Sequence, residues 1–393
     1  MKRILLIISC AVVFQGLVTP APVVGQAKGG RFGVDYAFNG ANGAGPTAAL
    51  IQDAAGNLYG TTSSGGSGFG VVFKLDSANH ETVLHAFTSR PDGATPHGRL
   101  ALDASGNLYG TTSSGGAAGL GTVFKIDTSD AETVLHSFTG NPDGASPYAG
   151  LVIDNSGNLY GTTENGGASG FGTIFKIDTA DNETVLHSFA GGTTDGADPK
   201  ADLTLDPDGN LFGTTFTGGS GSYGTVFKLD TTGTETILYN FTGSSDGGNP
   251  FGGLTRDTNG VLYGTTEIGG APLLDRPYGC CKAGAVFSLN GTNESVLYAF
   301  SGGNDGGNPA ADLVLHNGVL YGTTLTGGPG HRGTAFCVTV ANGNESVLHG
   351  FTGKTDGGTP QAGLLMNAAG VLYGTAQGGG RFKQGTVFQY KTR

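Results

Sequence analysis

Short runs of β-branched and aromatic residues alternate along the chain with clusters of Gly, Asn and Asp. Around residues 150–189 the runs read GLVID, NLYGTT, GTIFKID and ETVLHSF, and each has the length and composition of a β-strand bounded by turn residues. We label them strands a, b, c and d. Asn155-Ser156-Gly157 predicts a tight a–b turn, because Asn and Gly tolerate positive φ. No segment carries a 3.6-residue apolar stripe long enough for a helix. Strand c is apolar on both faces, with Phe175 and Ile177 on one and Ile174 on the other. Such a strand must be covered on both sides, as in sheets stacked face to face.

The same four runs recur about every 50 residues, a period that by itself decides the architecture. The aromatic of the LYGT motif falls at Tyr59, Tyr109, Tyr160, Phe212, Tyr263, Tyr321 and Tyr373. The phenylalanine of the GTVF-type motif falls at Phe73, Phe124, Phe175, Phe227, Phe287, Phe336 and Phe388. Seven repeats of four antiparallel strands predict an all-β fold, a seven-bladed β-propeller. The repeats lie at about 44–87, 94–138, 145–189, 197–241, 248–300, 307–351 and 358–391, within one domain over residues 28–393. The last repeat stops after strand c, whereas FGVDYAF near the start matches strand d, with Phe38 placed 21 residues before Tyr59. A closed ring accounts for this displacement: residues 33–38 complete the last blade, which removes the free edges an open solenoid would have to cap.

Composition narrows the setting. Met1-Lys2-Arg3, the apolar run ILLIISCAVVFQGLV and the small-x-small Gly25-Gln26-Ala27 read as a signal peptide over residues 1–27. Gln15 and Gly16 interrupt that run short of the ~20 apolar residues a membrane span needs. A secreted or periplasmic, monomeric protein with no membrane span after cleavage is therefore expected. A net charge of −11 with 20 basic residues argues against nucleic-acid binding, which needs clustered Lys and Arg. Gly contributes 75 residues, yet the regular apolar positions between them separate the chain from disordered Gly-rich sequences.

The joint motif DxxGNLYGTT, GGxxGxGTVFK and ETVLHSFTG resembles the GloVer (Gloeobacter/Verrucomicrobia-type) extracellular tandem repeat, over essentially all of the chain after residue 27. The resemblance implies an exported bacterial protein with propeller-like repeats and no general activity. Members with a C-terminal anchor differ from this chain, which ends GTVFQYKTR.

Several residue sets invite a chemical reading. His85, His136, His187 and His349 occupy one position of strand d, where other repeats carry Tyr36, Tyr239 and Tyr298. One residue per blade cannot converge on a single ion, so these are read as structural and no metal is expected. Asp53, Asp103, Asp154, Asp206 and Asp257 of the DxxGN turn are read as turn-bracing residues. The d–a loops carry an Asp-Gly with a Pro four residues after the Asp, as in Asp143 and Pro147, which reads as a capped and stiffened turn. Cys280 and Cys281 sit in an insertion of the fifth b–c loop, and Cys337 on the next strand c is their candidate disulfide partner.

The b–c and d–a loops of antiparallel blades emerge on one face. Four residues before the GTVF-type phenylalanine stand Phe69, Leu120, Phe171 and Tyr223 in the first four repeats, and Ala283, Arg332 and Gln384 in the last three. Arg276, Lys282, His331, Arg381 and Lys383 gather on the latter half. Phe69, Phe171, Tyr223, Arg332, Arg381 and Lys383 are thus candidate ligand-binding residues, aromatic on one half and basic on the other. They suit an extracellular polysaccharide or cell-surface ligand with an anionic part. No catalytic residue or cofactor is singled out, and a binding or scaffold module is the expected function. The alternative is a propeller enzyme of glycoside hydrolase, lyase or lactonase type, and non-repeating His, Asp, Glu or Tyr at the channel mouth would favour it.

Overall fold

The computed structural model describes residues 29–270 and 283–392, and all regular elements among them are strands. They form seven four-stranded antiparallel sheets, each in the order a-b-c-d: 51–86, 101–137, 152–188, 204–240, 255–299, 314–350, and 365–391 joined by 31–37. In blade 3 the strands are Val152–Ile153, Leu159–Thr163, Thr173–Ile177 and Glu183–Ser188. A two-stranded ribbon, Gly196–Ala197 with Thr217–Gly218, is added on blade 4.

Stacking follows from strand c. Phe175 and Ile177 pack with Val123, Phe138 and Leu151, while Ile174 packs on the other side with Phe189, Leu203 and Phe227. All three strand-c side chains are buried. A Phe immediately after strand d of each blade meets the strand-c Phe of the next edge-on: Phe87–Phe124, Phe138–Phe175, Phe189–Phe227, Phe241–Phe287, Phe300–Phe336 and Phe351–Phe388, with centroids 5.0–5.3 Å apart. Such pairs add about 0.5–1.5 kcal/mol each beyond burial. Gly161 of the LYGT motif makes room for this core, since a Cβ there would lie 2.7 Å from Phe175 Cζ.

The ring closes as the displaced strand predicts. Arg31–Ala37 pairs antiparallel with Thr386–Lys391, Phe32 opposite Tyr390 and Val34 opposite Phe388. Phe38 follows it, fully buried and edge-on to Phe73 of blade 1 at 5.0 Å, which makes the seventh Phe pair. The strand begins two residues earlier than the repeat alignment places it. The c–d pairing carries a β-bulge in every blade, as between Ile174 and Phe175 opposite His187 and Val185.

The a–b turns are braced as expected. Asp154 accepts hydrogen bonds from the Ser156 and Asn158 amides at 2.8 and 2.9 Å, from Asn158 Nδ2, and from the Tyr160 hydroxyl. In the d–a loops Asp143 accepts from the Thr139 amide and hydroxyl and from His136 Nε2. The strand-d His is therefore part of the loop's cap, a link that the repeat register alone does not reveal.

Candidate functional site

Seven three-residue segments lead from the d–a loops into strand a and line a central channel. Each follows a Pro: Thr47-Ala48-Ala49, His97-Gly98-Arg99, Tyr148-Ala149-Gly150, Lys200-Ala201-Asp202, Phe251-Gly252-Gly253, Ala310-Ala311-Asp312 and Gln361-Ala362-Gly363, each followed by a buried Leu. The residue before the Pro adopts positive φ in all seven loops, from Thr359 at 50° to Gly45 at 62°. Its amide donates to the carbonyl of the preceding blade's b–c loop, Thr95 to Phe69 and Thr359 to Arg332. The b–c and d–a loops thus share one face. A buried Thr of strand b fixes the neighbouring wall, as in Thr111 Oγ1 donating to Ala149 O and Thr375 Oγ1 to Ala48 O.

The middle wall position is always Ala or Gly, which lets the seven segments approach closely and leaves a cavity of about 60 Å³. The first position differs in every blade: Thr47, His97, Tyr148, Lys200, Phe251, Ala310 and Gln361. These side chains form a floor across the channel. His97 stacks on Tyr148 with centroids 4.3 Å apart, Tyr148 meets Phe251 edge-on at 5.6 Å, and Gln361 Nε2 donates to the Tyr148 hydroxyl at 3.2 Å from the opposite side. Burial pushes His97 down to about 4, so its ring is neutral and its Nδ1 pairs with Thr47 Oγ1 at 3.1 Å. Burial raises the Tyr148 hydroxyl above its usual value.

Above the floor, Lys200 forms an ion pair with Glu164 at 3.2 Å and lies over the rings of Phe216 at 4.5 Å and Phe251 at 5.9 Å. Glu267 flanks the same mouth. Burial raises its carboxyl above the usual range, and the Lys200 charge partly counters that shift. Below the floor, the third position brings three charges together. Arg99 Nε lies 3.2 Å from Asp202 Oδ2, Asp202 accepts from the Gly150 amide, and Asp312 accepts from the Gly253 amide at 2.5 Å. Burial, together with the Asp202 charge, lifts Asp312 to about 6 against the pull of Arg99. Burial opposes the Arg99 charge, but Asp202 and Asp312 outweigh it and hold the guanidinium above its ordinary value. The Arg99 side chain is 38% exposed, toward the channel lumen.

The residues proposed from the sequence lie farther out. Phe69, Phe171 and Tyr223 are exposed on three separate blades, as are Arg332 and, on the last blade, Arg381 and Lys383. Phe171 lies against Gly191, Tyr223 against Gly243 and Arg332 against Gly353, each glycine at positive φ. The structure brings Arg381 and Lys383 next to Phe382, an exposed ring the repeat alignment passes over, with the Arg381 guanidinium 5.3 Å from its centroid. It does not gather the six into one pocket. Cys337 is half-buried and forms no disulfide among the described residues, and burial pushes its thiol up to about 11. The pairing expected with Cys280 or Cys281 lies outside the described residues, as do Arg276, Lys282 and the signal peptide.

The channel set was missed because each member sits one or three residues after a Pro within an otherwise regular repeat. The signal was present: this is the position where the seven copies disagree most.

Among solved structures, a gluconolactonase candidate is 11% identical over 94% of each chain, with a TM-score of 0.46. The extracellular domain of a one-component-system candidate from B. thetaiotaomicron is 9% identical over 88% of this chain and 38% of that one, with a TM-score of 0.54. The latter likeness shows the fold alone. No curated protein matches the chain. No helix among the described residues is long and apolar enough to cross a membrane. The model of the Gloeobacter/Verrucomicrobia repeat matches residues 25–205, 92–276 and 205–393, and with its seven blades built on that repeat the chain belongs to this family.

Proposed function

We propose that this protein is an exported, non-catalytic binding module that seats a sugar unit of an extracellular glycan at the channel mouth. One observation carries the reading: the first wall position holds a different residue in every blade, whereas strand c and the LYGT motif stay nearly uniform. A position needed only to build the ring has no reason to differ from blade to blade. The chemistry fits a pyranose. Tyr148, Phe216 and Phe251 offer ring faces for its C–H surface, and Lys200, Glu164, Glu267 and Gln361 offer hydrogen bonds to hydroxyls. The exposed Arg332, Arg381 and Lys383 would meet acidic substituents farther along the same glycan. The reading of residues 1–27 as a signal peptide supports placing the ligand outside the cell.

The test is a glycan array probed with the purified protein, followed by calorimetry on any hit with wild type and Phe251→Ala. At least tenfold weaker binding by the variant, at unchanged melting temperature, is the expected result. No captured glycan, or capture that Phe251→Ala leaves intact, overturns the proposal. The second reading, a channel enzyme, draws on the two carboxylates Asp202 and Asp312 gathered around Arg99. Turnover of a bound glycan that Asp312→Asn abolishes would favour it.

A further inference from the structure

The seams between blades repeat one arrangement, and one seam departs from it. In three seams the strand-d His lies seven residues before the loop Asp and bonds it directly: His85 Nε2 to Asp92 Oδ2 at 3.0 Å, His136 to Asp143 at 3.1 Å and His349 to Asp356 at 3.1 Å. Between blades 3 and 4 the loop FAGGTTDG is one residue longer, so that Asp195 stands eight residues after His187. The two side chains are then 3.4 Å apart, and His187 Nε2 makes no hydrogen bond although it is shut off from solvent. Glu235, which opens strand d of blade 4, has its Oε1 buried and without a hydrogen-bond partner, as have the equivalent glutamates of the other seams. The nitrogen of His187 and carboxylate oxygens of Asp195 and Glu235 all lie within 4.8 Å of one another.

We propose that His187, Asp195 and Glu235 form a binding site for a divalent transition-metal ion of the zinc class, joining blades 3 and 4. One imidazole and two carboxylates are a donor set zinc takes at about 2.0–2.2 Å, and tetrahedral ligands at that length stand about 3.4 Å apart; His187 and Asp195 already have that spacing, and the wider separations, up to 4.8 Å, must close onto the ion. Two of the donors are held in advance. Asp195 accepts from the Ala190 and Gly196 amides at 2.7 Å each, and the His187 ring rests edge-on against Phe189 with centroids 4.8 Å apart. The histidines, one per blade, cannot share an ion among themselves, but each next blade brings a Glu to the seam.

The seams at His85 and His136 are internal controls, because their Nε2 atoms already bond an Asp. Protein stripped with a chelator is titrated with zinc chloride by calorimetry, with bound metal counted by elemental analysis. One equivalent at micromolar or tighter Kd, with a raised melting temperature, is expected. His187→Ala and Glu235→Gln should each weaken binding at least a hundredfold, and His85→Ala should leave it unchanged. Stripped His187→Ala is compared with stripped wild type by circular dichroism, so that a fold defect is read separately. If that variant is unfolded, the cobalt(II) spectrum of wild type decides: an intense four-coordinate visible band supports the site, and a weak octahedral one overturns it. Less than 0.2 equivalents of zinc, or binding that His187→Ala leaves intact, also overturns it.

Discussion

Raising the pH from about 5 to 8 should destabilise this protein. Four seam glutamates set the effect: Glu132, Glu183, Glu294 and Glu345, which face Asp92, Asp143, Asp246 and Asp305 across blade boundaries. Burial, reinforced by the facing Asp charge, lifts the first three to about 7 and Glu345 to about 8. Each has a buried Oε1 with no hydrogen-bond partner. A carboxyl whose folded value lies above its unfolded value near 4.5 binds its proton more tightly in the native state. Its stabilising contribution is therefore full below 4.5 and lost as the pH climbs through 7 to 8. The move from 4.5 to about 7 equals about 3.4 kcal/mol per group before screening. Each side chain is partly exposed, and screening by solvent cuts this to on the order of 1 kcal/mol each and roughly 4 kcal/mol for the four. The turn carboxylates Asp53, Asp103, Asp154 and Asp206 are held below the usual range by the turn's hydrogen bonds, against the pull of burial, and so do not contribute to this slope. The assay is urea unfolding of metal-stripped protein at pH 5 and 8, with a quadruple Glu→Gln variant beside wild type. Gln is neutral and can donate to the facing Asp, so the variant should lose the part of the slope owed to these four and keep what Asp312, Glu235 and Glu267 contribute, less the opposing contribution of the depressed His97. A wild type equally stable at pH 8, or a variant that keeps the full slope, refutes the reasoning.

Three further outcomes are expected. Phe38→Ala removes a fully buried ring from the closing seam and should cost about 3–5 kcal/mol, and deleting residues 29–38 should expose the edge of the last blade and give aggregates on size exclusion. Gly161→Ala sets a methyl 2.7 Å from Phe175 and 2.8 Å from Leu151 in a full core, so chemical denaturation should show a loss of about 1–3 kcal/mol. Replacing Arg332, Arg381 and Lys383 together by Ala leaves melting nearly unchanged, since all three are exposed, and should lower both the affinity for an acidic glycan and its salt dependence.

Fold and closure were legible because they rest on properties a repeat cannot hide. Strand c is apolar on both faces wherever it occurs, so the sheets had to stack. Phe38 stands at the interval strand d keeps elsewhere, so the first strand had to finish the last blade. The rim residues were placed on the correct face by the same alternation of loops. Their dispersal over separate blades follows from the ring's breadth, which a repeat alignment does not measure.

The candidate site was decided by closure. His97, Tyr148 and Gln361 lie on blades 2, 3 and 7, and only a closed ring brings Gln361 across the channel to the Tyr148 hydroxyl. Likewise Glu235 meets His187 because one blade stacks on the next, 48 residues along the chain. The sequence by itself determined the period, the strands, the stacking and the strand that closes the ring, because local hydrophobic patterning and turn chemistry specify each of these. Only the tertiary structure decided which charged and aromatic side chains face one another, because that depends on distances between blades, which the chain expresses only when all seven have closed around one axis.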